Sequence, residues 1–133
     1  MHKKALFAVA TCAAICTGPV LADDMKDPGQ VTYEQYCAAC HGEYGMGAGA
    51  VAEVLTAEVP DLTTLAQRND GVFPMLQVIH VIDGRTGLRA HGGPMPVFGA
   101  LFSDDADFGP YGGPVYTRGK ILSLAYYLES IQK

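Results

Sequence analysis

The chain has 133 residues, with 9 basic and 14 acidic side chains and a net charge of −5 when histidine is neutral. That length suits one domain, and 49% hydrophobic residues against 17% charged ones exclude a disordered tail. An acidic balance disfavours nucleic acid and anionic lipid as partners.

Residues 1–22 open on Met1-His2-Lys3-Lys4, run apolar from Ala5 to Cys16 and close on Val20-Leu21-Ala22. A charged start, a short apolar stretch and a small-residue end are the order of a cleaved secretory leader. The apolar run falls short of the about 20 residues a membrane span needs. Cys12 follows Thr11 and Cys16 follows Ile15, so neither has the small residue before it that lipid attachment wants. The expectation is cleavage after Ala22, export, and a single domain over 23–133 with no membrane span. Losing Lys3 and Lys4 from the 9 basic residues leaves 7 against 14 acidic, a net of −7, which favours partners carrying a basic patch. Of the 4 cysteines only Cys37 and Cys40 remain. One pair three residues apart is not a disulfide framework.

Asp27-Pro28-Gly29-Gln30 predicts a helix start, with Asp27 as cap and Pro28 at the first helical position. The helix is expected to run through Tyr33 and Tyr36 toward Cys40. Gly42, Gly45, Gly47 and Gly49 then mark a loop. A short helix is expected from Leu62 to Arg68, stopped by Asn69-Asp70-Gly71. Val72, Met75/Leu76, Ile79 and Ile82 recur at helical spacing, with Asp83-Gly84 as the stop. Arg85 to Thr117, rich in Gly and Pro, reads as a long irregular segment of functional use. A last helix from about Arg118 to Ile131 carries a stripe of Ile121, Leu124/Ala125, Leu128 and Ile131. The prediction is an all-α fold of three to five short helices and long loops. So thin a core needs something else at its centre.

Cys37-Ala38-Ala39-Cys40-His41 supplies it. C-x-x-C-H is the attachment signature of c-type haem. Two thiols on one helical turn reach the two vinyl groups on one porphyrin edge, and the next residue, His41, offers an imidazole to the iron. A thioredoxin-like pair would want a βαβ setting, a zinc site a second Cys/His pair, and a plain disulfide would leave His41 unexplained.

The opposite face of the iron needs a ligand of its own, drawn from Met46, Met75, Met95, His80 and His91. Met95 stands between Pro94 and Pro96, which stiffen the backbone around it and fix where the thioether sits. Met46 lies too near His41 to cross the haem plane; Met75 and His80 lie on a predicted helix. His91, in the same loop, is the rival to Met95.

Cys37-Ala38-Ala39-Cys40-His41-Gly42, then Met95-Pro96-Val97-Phe98-Gly99, then the closing Ile121-Leu122-Ser123-Leu124-Ala125-Tyr126-Tyr127-Leu128 resemble the class I c-type cytochromes, specifically small bacterial periplasmic monohaem carriers. Gly29 and Tyr33 resemble the glycine and aromatic of that family's first helix, and Tyr127 the aromatic of its last. The resemblance implies a cytochrome c-like fold in which those helices cross, one covalent haem c, axial ligation by His41 and Met95, and a periplasmic location. It implies electron transfer rather than enzymic chemistry, with redox proteins as donor and acceptor. Arg85, Arg89 and His91 are candidates for contacts around the haem, including its propionates. Asp104, Asp105 and Asp107 make the segment after Leu101 acidic. A haem subunit of a dehydrogenase or oxidase complex would read almost identically. A haem sensor or peroxidase would need a weak or missing Met95 bond.

Overall fold

In the computed structural model, which describes residues 25–86, 93–104 and 109–133, the chain is helical, with no strand among the described residues. The expected leader lies outside them, as do Arg89 and His91. Helix α1 (Pro28–Tyr36) starts where predicted: the Asp27 carboxylate accepts from the Gln30 N–H at 3.0 Å, and Pro28 occupies the first turn, where no N–H is needed. The chain breaks at Cys37 and resumes as α2 (Ala38–His41). A helix of 4 residues leaves its last carbonyls unpaired. The Gly-rich loop answers them: the N–H of Gly47 donates to the His41 carbonyl at 2.8 Å, Gly49 to Cys40 at 3.1 Å, and Val51 to Ala39 at 2.9 Å.

Between 52 and 69 the chain forms three single 3-10 turns, Ala52–Val54, Leu62–Thr64 and Gln67–Asn69. The last two replace the single helix expected over Leu62–Arg68. Gln132 clips this stretch to the end of the chain. Its amide accepts from the Ala66 N–H at 2.9 Å and donates to the Leu62 carbonyl at 2.8 Å.

Helix α3 (Met75–Asp83) stops as predicted at Gly84, whose φ of 83° is left-handed. Its buried face is Val78 and Ile82, with Met75 and Ile79 packed beside them, while Leu76 and Val72 are 66% exposed. The expected stripe was therefore set too far back. Pro74 holds Phe73 away from helical geometry, so the helix cannot reach back to Val72.

The irregular segment expected over Arg85–Thr117 is largely helical where described. Helix α4 (Phe98–Asp104) occupies part of it, and α5 (Gly109–Ser130) begins well before Arg118. Packing overrides the poor helix propensity here. Phe98 and Phe102, one turn apart, are buried against Tyr36, with ring centroids at 6.3 and 5.1 Å. On α5, Gly113 and Thr117 are buried, and the Thr117 hydroxyl meets that of Ser103 at 3.3 Å. Pro114 is exposed within the helix.

The rest of α5 follows the predicted stripe: Ile121, Leu124, Ala125 and Leu128 are buried. It crosses α1 where Gly29 lies against the Ser123 backbone, and the Tyr33 and Tyr127 rings meet at a tilt of 47° with centroids 5.3 Å apart. The crossing inferred from the family resemblance is present. No helix among the described residues is long and apolar enough to cross a membrane.

Candidate functional site

Between these helices lies a cavity of about 560 Å³, within the range of cofactor pockets, about 300–1,000 Å³. Cys37, Cys40 and His41 line one side, and Met95 also lines it. Apolar walls come from Leu62 and Leu65, from Val78 and Ile82 on α3, and from Leu124 and Leu128 on α5. Residues far apart in sequence thus meet around one mostly apolar space, the filling the thin core lacked.

Both cysteines are free thiols, Cys37 buried and Cys40 partly so. Burial pushes the Cys37 thiol up to about 12, with the neighbouring Cys40 as the second cause. A thiol–disulfide catalyst needs the opposite, a lowered thiol. The thioredoxin-like alternative therefore has neither its strands nor its electrostatics among the described residues.

His41 is held by its own surroundings. Burial lowers its pKa, while the Pro60 carbonyl, 3.3 Å from Nδ1, works in the other direction. A carbonyl can only accept, so Nδ1 carries the proton and Nε2 keeps its lone pair. This orients an imidazole as a metal ligand by the second-partner arrangement common to such histidines. Tyr33 secures the turn behind it, donating from its hydroxyl to the Gly42 carbonyl at 2.6 Å.

Of the candidates for the opposite ligand, Met95 is half-buried and lines the cavity. Met46 is 51% exposed and does not line it. Met75 packs in the core, His80 is half-buried on α3, and neither lines the cavity. Arg85 does not line it either; its exposed guanidinium pairs with Asp83. Arg68 and Asn69 do, although from the sequence they stand only at the end of a short helix and in its stop. Arg68 is tied to its own loop, donating from Nη2 to the Asp61 carbonyl at 2.6 Å and from Nε to the Thr64 carbonyl at 3.3 Å. A basic residue directly before the Asn69-Asp70-Gly71 turn was the available signal. Pro60 had none, since it acts through a backbone carbonyl.

The donor set suits haem c. Two thiols on one turn, an adjacent imidazole with its second nitrogen already engaged, and a thioether on the same cavity are the groups that covalent attachment and six-coordination need. A comparison with curated proteins gives no match, and one with solved structures gives none. The model of the family described as cytochrome C oxidase, cbb3-type, subunit III matches residues 24–107, most of the chain and all of the motifs up to α4. The chain belongs to that family and is a c-type cytochrome with a cytochrome c-like fold, a covalently bound haem c and a role in electron transfer.

Proposed function

We propose that this protein is an exported single-electron carrier. In this reading Cys37 and Cys40 form the thioethers, His41 is the proximal ligand and Met95 the distal one. When bound, the haem supplies a one-electron couple between ferrous and ferric iron. The chain's residues do the rest. Pro60 fixes the His41 tautomer, the apolar walls exclude water, and the thioether favours the ferrous state over what a second imidazole would give. Arg68 is the basic side chain that would meet a propionate. The observation that supports the reading is that Cys37, Cys40, His41 and Met95 all line one cavity. Residues 1–22 serve as the export leader, to a periplasmic site where haem attachment takes place. Glu58, exposed at the cavity, adds to the acidic surface offered to a basic redox partner. The test is a redox titration of the exported protein followed by absorption. A single six-coordinate haem cycling reversibly supports the carrier, and a five-coordinate ferrous form that binds carbon monoxide contradicts it.

A second reading is favoured by one specific finding, the description of the matching family as an oxidase subunit. In it the same haem domain is a fixed subunit of a larger complex. Purification under mild detergent separates the two. A carrier elutes alone, whereas a subunit co-elutes with membrane proteins in fixed proportion.

A further inference from the structure

Lys120 of α5 has an unusual setting. Its ammonium lies 4.4 Å from the centroid of the Phe102 ring, 4.5 Å from that of Tyr36 and 5.6 Å from that of Tyr116. It also donates to the Tyr36 hydroxyl at 3.4 Å. Phe102 is wholly buried and Lys120 half-buried. Tyr36 lines the cavity, as does Phe98, which Tyr36 meets edge-on at 6.3 Å. The charge is therefore held one aromatic ring behind the cavity wall, by three rings from α1, α4 and α5.

We propose that Lys120 sets the reduction potential of this cytochrome. The inference rests on the haem reading of the cavity. A cation within about 6 Å of ring centroids is fixed in place by their quadrupoles. Partly withdrawn from water, its field is screened less than that of a free surface lysine. Reduction brings one electron into the cavity from a redox partner and so makes its charge more negative by one. A fixed positive charge behind Tyr36 stabilises that state. It opposes the remainder of the exported chain, which without Lys3 and Lys4 carries 7 basic against 14 acidic residues, a net of −7, and so disfavours electron uptake.

The experiment is a mediated redox titration of the exported holoprotein in wild-type, Lys120→Met, Lys120→Gln and Lys120→Arg forms. Each is also followed by thermal unfolding. Both neutral variants should lower the potential, shifting the reduced-to-oxidised ratio severalfold at fixed ambient potential. That is less than the tenfold that about 59 mV represents for a one-electron couple. Lys120→Arg, which keeps the charge and the stacking, should stay near wild type. Glutamine retains a donor for Tyr36, so it serves where methionine fails to give folded protein. An unchanged potential in the neutral variants, with a lowered Tm, would make Lys120 only a clasp between helices and overturn the proposal. An equal fall in Lys120→Arg would overturn it too, since a reshaped wall rather than a charge would then be responsible. The haem content of denatured wild-type protein is measured alongside. Its absence would refute the haem reading itself, separately from the role of Lys120.

Discussion

Gly29 of α1 lies so close to Ser123 of α5 that a side chain on the glycine would overlap the Ser123 carbonyl. The contact is backbone against backbone, so no rotamer change relieves it. Tyr33 and Tyr127, one turn further along each helix, meet at a tilt with ring centroids 5.3 Å apart, a contact that goes with this close approach of the two helices.

Gly29→Ala should therefore destabilise the folded protein. In an open helix the same change stabilises by about 0.5–1 kcal/mol. Here the clash should reverse the sign and cost about 1–3 kcal/mol. Denaturant unfolding of the holoprotein checks it, and a variant as stable as wild type would refute the close crossing.

How much of this was legible in the sequence depended on how local the cause was. Asp27 and Pro28 announced α1, and Gly84 ended α3, because caps act within a few residues. Cys37, Cys40 and His41 lie within five residues in a spacing that is itself the signature of haem attachment, so the motif needed no structure to be read. The stripe from Ile121 to Leu128 was clear for the same reason, its helical period. The start of α5 was not, because Gly109, Gly112, Gly113 and Pro114 all argue against helix. Tertiary contacts offset that local bias: Gly113 and Thr117 are buried, and the Thr117 hydroxyl meets that of Ser103 on α4. Pro60 and Arg68 were missed because their places beside His41 and on the cavity come from where the chain folds back.

Asp61 offers a test by pH. The Thr63 hydroxyl and then the Thr63 N–H, at 2.6 and 2.8 Å, hold its carboxyl below the usual range. A lowered folded-state value means a stabilisation present above the unfolded Asp range, about 3.9, and lost as pH falls through the folded value. Asp61→Asn should lower Tm at neutral pH and flatten the loss of stability in acid, the two proteins converging at low pH. A constant gap at every pH would show that this carboxylate contributes nothing by its charge.

Cys37→Ala or Cys40→Ala should leave one thioether at most, and the double variant none. Haem recovered from the double variant after denaturation would contradict the attachment assigned to these thiols. The haem-free chain made in a reducing cytoplasm should stay largely unfolded, since the cavity then has nothing to fill it and binding is coupled to folding. Cooperative melting of that chain would count against this.

The central claim is ligation by His41 and Met95, and the absorption spectrum of the oxidised holoprotein tests it most directly. Wild type should show the long-wavelength sulfur-to-iron charge-transfer band. Met95→Ala should abolish it, lower the potential and admit external ligands, and Met95→His should stay six-coordinate at a lower potential. His91→Ala should keep the band. Loss of the band in His91→Ala, with Met95→Ala still closed to external ligands, would contradict the account.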